Sequence, residues 1–207
     1  MGNKFWFASA VFDGAIHGNV QITAESGVIA EIKIGVEQPK GSISFGGMGL
    51  PGFIDTHCHG GGGFFFSDRE VRNIESIANF HLMNGTTTLF ASLVTEDKES
   101  LKSQVGQLGS ILPLSTIAGI HLEGPWLSST FNGAHDVSSL RAPELSEVRE
   151  LFEASNGNLV SVTIAPELDN AIEAISLLRS LGVNVALGHS DANAEESVLA
   201  IAVGAKV

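Results

Sequence analysis

Two histidines one residue apart close the apolar run Pro51-Gly52-Phe53-Ile54-Asp55-Thr56-His57-Cys58-His59-Gly60. Alternate side chains of a β-strand share a face, so His57 and His59 can aim at one ion while Cys58 points away. Neutral imidazole nitrogens suit zinc and similar borderline metals, and a strand end is a rigid place to carry them. His121-Leu122-Glu123, Glu167 and His189 stand at the ends of later apolar runs. A bridging carboxylate and imidazoles converging from several strand ends would make a mononuclear or binuclear hydrolytic centre.

The elements needed to position these groups are visible in the pattern. From about Phe5 to Phe45 the apolar residues come in short alternating pieces, such as Asn19-Val20-Gln21-Ile22, which predict a small antiparallel β unit. After Gly46-Gly47-Met48 the rhythm becomes strand, loop, helix, repeated. Strands are predicted over 52–56, 87–93, 117–122, 159–165 and 183–187, and helices over 69–83, 98–111, 143–154, 171–181 and 194–203. Continuous apolar strands alternating with helices imply parallel βαβ units buried on both faces. In a closed barrel of such units the carboxyl ends of all strands meet at one mouth. The fold class is therefore α/β. The expected organisation is a small β-sandwich segment over 1–48 and about five βα units of a metal-dependent (β/α)8 TIM-like barrel over 49–207.

Composition narrows the partners. The chain has 207 residues, 43% hydrophobic and 16% charged, enough for a sizeable core. Its formal charge of −12, from 11 basic and 23 acidic residues, argues against nucleic acid, whose phosphates need a positive footprint. Cys58 is the one cysteine, so no disulfide can form within the chain, which fits a reducing compartment. No run reaches the ~18 apolar residues of a membrane helix and the first ten residues do not read as a signal peptide. The expected location is the cytoplasm.

The segment Gly49-Leu50-Pro51-Gly52-Phe53-Ile54-Asp55-Thr56-His57-Cys58-His59-Gly60 resembles the first metal-binding strand of the amidohydrolase superfamily. His121-Leu122-Glu123-Gly124-Pro125, Gly133-Ala134-His135, Thr163-Ile164-Ala165-Pro166-Glu167 and Leu187-Gly188-His189-Ser190-Asp191-Ala192, in that order, resemble a narrower group, the N-acetylglucosamine-6-phosphate deacetylase family. The resemblance implies that Glu123 and His189 ligate the metal. It also implies that His57 and His59 are the pair that can hold a second ion, so one or two ions are expected, zinc first, with iron or manganese as alternatives. Ala134 and His135 match the loop that touches the sugar, Ala134 through its backbone. The implied reaction is hydrolysis of N-acetylglucosamine 6-phosphate to glucosamine 6-phosphate and acetate in amino-sugar catabolism, by a homodimer in the full-length form.

Several residues carry plainer readings. Asp55 supports the ligands rather than binding metal. His121 reads as a hydrogen-bonded core histidine, Glu167 as a residue holding a loop, and His17 and His81 as ordinary. Gly60 to Gly63 lacks the Lys-Ser/Thr ending of a phosphate loop and reads as a flexible loop at the mouth, with Phe64-Phe65-Phe66 packing beside it.

The resemblance places the aspartate general base, and one more histidine ligand, beyond Val207. A closed barrel takes roughly 250 residues, whereas about 160 follow Gly46. The expectation is therefore part of a longer deacetylase, with two exposed sheet edges and no general base of its own. The alternatives are a noncatalytic fragment that binds metal or a partner, and another amidohydrolase such as an N-acyl-amino-acid hydrolase.

Overall fold

A computed structural model describes residues 2–68 and 70–206, which divide into two units, Met1–Gly52 and Phe53–Val207. The first unit contains β1 (Asn3–Phe12), β2 (Ala15–Glu25), β3 (Val28–Lys33) and β4 (Ile43–Gly49), in sheet order β3-β2-β1-β4. Tight two-residue turns make its hairpins. Asp13-Gly14 has φ 50 and 73°, the doubly left-handed geometry that matches the twist of the flanking strands. The β1–β2 and β2–β3 pairs are antiparallel, as the alternation suggests, but β4 runs parallel to β1. The sandwich segment expected here is present as one layer, because its four strands all hydrogen-bond into the same sheet.

The second unit alternates strand and helix. It contains β5 (Phe53–Cys58), β6 (Gly60–Gly61), β7 (Phe64–Phe65), α1 (Val71–Met83), β8 (Thr86–Leu93), α2 (Lys98–Ile111), β9 (Ile117–Glu123), α3 (Leu145–Ala154), β10 (Leu159–Ile164), α4 (Ala171–Ser180), β11 (Asn184–Leu187) and α5 (Ala194–Ala202). Five strands form one parallel sheet in the order β11-β10-β9-β8-β5, so the sheet follows the chain like part of a barrel wall. Helices intervene because parallel neighbours need a crossover. Helix stripes such as Leu101, Val105 and Leu108, and Ala174, Ile175 and Leu178, share one core with Leu89, Ile120, Leu122, Val162 and Val185 of the strands. Burying each large aliphatic side chain contributes about 1.5–3 kcal/mol.

Local chemistry sets the helix ends. Asp97 caps α2 by accepting from the N–H groups of Glu99 and Ser100, and Asn193 and Glu196 form a capping box on α5. The helix predicted over 143–154 starts instead at Leu145, with Glu144 still extended. Arg69 lies outside the described residues, and α1 begins at Val71.

The glycine run departs from the expected flexible loop. Gly60-Gly61 pairs antiparallel with Phe64-Phe65 in a hairpin against α1. A Cβ on Gly60 would lie 2.1 Å from the Phe64 carbonyl, and one on Gly61 2.7 Å from His81 Nε2. These glycines permit close packing rather than freedom. At the sheet edges stand β5 and β11, and on β5 Phe53 and Ile54 are 65% and 70% exposed. Among the described residues no helix is long and apolar enough to cross a membrane.

The longest connection, residues 124–144, links β9 to α3 and is fastened by a buried charge. Glu147 is only 2% exposed. Arg141 Nη2 donates to its Oε1 at 2.6 Å, Arg141 Nε reaches both oxygens, and Trp126 Nε1 donates to Oε2 at 3.2 Å. Arg141 Nη1 also donates to the Glu96 and Ser139 carbonyls. Arg141→Met leaves the carboxylate buried and unpaired and is expected to lower stability by about 3–5 kcal/mol in urea unfolding. Adding Glu147→Leu should recover most of that loss; an R141M chain within about 1 kcal/mol of the parent would refute the role given to this pair.

Candidate metal centre

The parallel sheet brings strand ends together, and one carboxylate lies at their focus. Glu123, the last residue of β9, places Oε2 at 3.3 Å from His57 Nε2, 3.0 Å from His59 Nε2 and 3.5 Å from His135 Nε2, and Oε1 at 3.0 Å from His189 Nε2. The His57 and His59 Nε2 atoms are themselves 3.0 Å apart. Two nitrogen or oxygen ligands about 2.0–2.1 Å from one tetrahedral zinc stand about 3.4 Å apart, so these spacings suit a shared cation. The groups His57–His59–Glu123 and Glu123–His135–His189 each bring their ligand atoms within 4.8 Å of one another. Glu123 belongs to both: Oε2 faces His57, His59 and His135, and Oε1 faces His189, so the carboxylate could bridge. The first group fits a divalent ion, and Glu123 with His189 offers a carboxylate oxygen and an imidazole nitrogen to the other side.

Each ring is oriented by a second contact. The His189 backbone is left-handed, φ 50°, which is unfavourable for a residue with a Cβ and aims its ring back across the strand ends. Its Nδ1–H donates to the Phe131 carbonyl at 2.9 Å, so in the neutral ring the Nε2 lone pair faces Glu123. Gly133 gives that ring its space: its φ is 58°, and a Cβ there would lie 3.0 Å from His189 Cε1.

His135 is oriented the other way. The Thr95 N–H donates to its Nδ1 at 3.3 Å, so the neutral ring carries its proton on Nε2, the atom facing Glu123. Burial pushes its pKa below the ordinary value, which disfavours the charged ring. It is thus a hydrogen-bond donor where His189 is a lone-pair donor. With Ala134, His59, Val94, Thr95, Glu123 and Asp136 it lines a cavity of about 390 Å³ beside the carboxylate.

His121 is buried behind the centre. Ser92 Oγ is hydrogen-bonded to His121 Nδ1 at 2.9 Å and accepts from the Cys58 N–H at 3.0 Å, while His121 Nε2 is hydrogen-bonded to Thr163 Oγ1 at 3.0 Å. Its ring stands edge-on to His57, centroids 4.5 Å apart. Burial lowers its pKa to about 4. Glu123 is held well below the usual carboxylate range, chiefly by its contact with His59. Glu167 accepts from Ser190 Oγ and the Asp191 N–H, both at 2.7 Å, and holds the loop after His189.

Ser92 and Thr95 lie outside the motifs quoted above, and Thr163 lies in one without a role of its own. Ser92 and Thr163 interrupt apolar strands, and a buried hydroxyl inside such a run requires a partner. His81, ordinary by sequence context, forms a third group with Asp55 and Cys58, with ligand atoms within 4.8 Å. Asp55 Oδ1 accepts from the His57 N–H at 3.1 Å and joins no group containing Glu123. His17 stacks on Phe12 in the N-terminal sheet.

Residues 48–206 match the amidohydrolase family, and the chain belongs to it. Within that class it is similar to sugar-phosphate deacetylases. It is 31% identical over 161 residues to N-acetylglucosamine-6-phosphate deacetylase of Vibrio furnissii, covering 76% of this chain and 40% of that protein. It is 30% identical over 159 residues to N-acetylgalactosamine-6-phosphate deacetylase of Escherichia coli O157:H7, covering 75% and 42%. The Mycobacterium smegmatis N-acetyl-D-glucosamine-6-phosphate deacetylase, solved in complex with N-acetyl-D-glucosamine-6-phosphate, superposes with a TM-score of 0.91 at 34% identity over 99% of this chain and 54% of that one. The chain thus spans about two fifths of the length of these curated relatives.

Two outcomes follow from this geometry. Gly133→Ala should weaken zinc binding by about 10–100-fold in competition with a chromophoric chelator while the chain stays folded, because the new Cβ displaces His189; unchanged affinity would break the link. The His121 ring titrates at 6.5 when unfolded and at about 4 when folded, so between these values the unfolded chain binds a proton that the folded chain does not. Stability therefore falls as pH drops through that window, by about 3 kcal/mol for this group. In urea titrations His121→Gln should flatten the slope between pH 6.5 and 4, and an identical slope would contradict the assignment.

Proposed function

We propose that this chain carries the metal centre of an N-acetylated amino-sugar 6-phosphate deacetylase. The observation that carries the reading is one carboxylate, Glu123, shared between His57–His59 and His189, with His135 presenting an N–H into the adjoining cavity. His57, His59, Glu123 and His189 would hold one or two divalent ions, zinc first. When bound, such an ion polarises the acetamide carbonyl and lowers the pKa of water beside it.

The chain's own groups orient and hold. Glu123 stays ionised and so attracts the cation. His135 donates from Nε2 to a substrate oxygen, and the backbone at Ala134 forms the wall beside it. His121, neutral and buried, fixes the edge of His57 without offering a lone pair to the centre. The general base is an aspartate supplied by a longer polypeptide: among the described residues no aspartate joins the Glu123 groups. Such a polypeptide would close the barrel and act as a homodimer in the cytoplasm.

The substrate is N-acetylglucosamine 6-phosphate, hydrolysed to glucosamine 6-phosphate and acetate. The similarity to the N-acetylgalactosamine-6-phosphate deacetylase favours testing the epimer beside it. Zinc-loaded 207-residue chain should release no detectable acetate from either sugar phosphate. A longer polypeptide carrying residues 1–207 in a closed barrel should release it, with Glu123→Gln lowering kcat by at least about 100-fold. Turnover by the 207-residue chain would sink the requirement for an external base. Hydrolysis of N-acyl amino acids in place of sugar phosphates by the longer polypeptide would overturn the substrate class.

A further inference from the structure

The register of β5 against β8 is irregular twice: between Phe53 and Ile54 the extra residue is on β8, and between Asp55 and Cys58 it is on β5. Asp55 pairs with Leu89, but Cys58 pairs with Ala91, so three steps on β5 match two on β8. Such a bulge reverses the alternation of side chains at that point. It separates Asp55 from His57 and His59 and gathers it with Cys58. There α1 brings in His81: Cys58 Sγ lies 3.2 Å from His81 Nε2, and both lie close to the Gly60 carbonyl, at 3.2 and 3.0 Å. One ligand atom from each of Asp55, Cys58 and His81 falls within 4.8 Å of the others.

We propose that Asp55, Cys58 and His81 form a separate metal site, on the α1-facing side of β5, for a thiophilic divalent ion such as zinc. Its donor set of one sulfur, one imidazole nitrogen and one carboxylate oxygen matches mixed zinc sites, with the Gly60 carbonyl or water as a fourth ligand. Zinc bonds of about 2.3 Å to sulfur and 2.0–2.1 Å to nitrogen put those atoms about 3.6 Å apart in a tetrahedron, so the 3.2 Å contact needs only a small adjustment.

The site is held on three sides. The Cys58 N–H is bonded to Ser92, the Gly60-Gly61 strand of the hairpin presses on His81 so closely that a Cβ on Gly61 would sit 2.7 Å from Nε2, and Asp55 is tied to the His57 amide. As the ion binds, the Cys58 thiol gives its proton to solvent and the thiolate becomes the ligand. The bound ion ties β5, and with it His57 and His59, to α1 and to the hairpin. The competing arrangement is a plain hydrogen-bonded contact, with the thiol and His81 Nε2–H both donating to Gly60.

Titration of the 207-residue chain with cobalt(II) separates the two. Cys58 is the sole cysteine, so sulfur-to-cobalt charge-transfer absorption reports this site alone. The band should grow to one equivalent, vanish in Cys58→Ser, and need at least about tenfold more cobalt in His81→Ala and in Asp55→Asn. It should persist in the His57→Ala/His59→Ala double variant and in Glu123→Gln. Absence of the band in the parent chain overturns the site, as does a band lost with His57 and His59 yet indifferent to His81. Cobalt binding without that band would likewise overturn it, while leaving the Glu123 centre and the deacetylase reading untouched.

Discussion

Glu123 is the one anion around which the centre is arranged, and its surroundings make sense only as a set. Four imidazoles face its two oxygens from three separate parts of the chain: the end of β5, the loop after β9 and the residues after β11. Rings this close to one another cannot all be protonated without mutual repulsion. The surrounding bonds settle how neutral rings present themselves. The Phe131 carbonyl fixes the proton of His189 on the far nitrogen, and the Thr95 amide fixes that of His135 on the near one. Side chains of the same type therefore offer opposite chemistry to the same carboxylate.

This arrangement depends on strands that end at a common level. The polar chain Cys58 N–H to Ser92, Ser92 to His121, and His121 to Thr163 crosses β5, β8, β9 and β10 beside the Glu123 cluster. Every member has a partner, so the row stiffens the sheet instead of weakening its core. The Arg141–Glu147–Trp126 knot does the same for the loop above, anchoring it to α3 with a charge that cannot easily leave its partner.

Much of the barrel wall was legible in the chain, because continuous apolar strands and amphipathic helices repeat with little ambiguity. The nearness of His57, His59, Glu123 and His189 could be anticipated for the same reason: parallel strands deliver their last residues to one side. Other features depend on register and on contacts between elements, which periodicity does not encode. The extra residue in β5 is defined only by its pairing with β8, so no pattern in 53–58 reveals that Asp55 joins Cys58. The parallel pairing of β4 with β1 requires the whole connection over 34–42 to be traced. Gly60 and Gly61 signalled freedom by type, yet serve close approach to Phe64 and His81. The difference between His135 and His189 lies in a backbone amide and a backbone carbonyl, groups that nearly every residue possesses.

The left-handed backbone of His189 has a consequence beyond orientation. The residue's carbonyl accepts from the Ser128 N–H at 2.8 Å, and its ring is held by the Phe131 carbonyl, so both ends of one strained residue are clasped by the loop that carries Ala134 and His135. A residue costing of order 1–3 kcal/mol in that conformation keeps it only while its surroundings insist. Whatever occupies the space between His189 and Glu123 adds to that insistence, and so steadies the loop as well. The converse holds by linkage: a ligand that orders the loop around Ala134 and His135 also favours the conformation in which His189 faces the carboxylate. His189 and the loop carrying Ala134 and His135 are thus joined through a single φ angle.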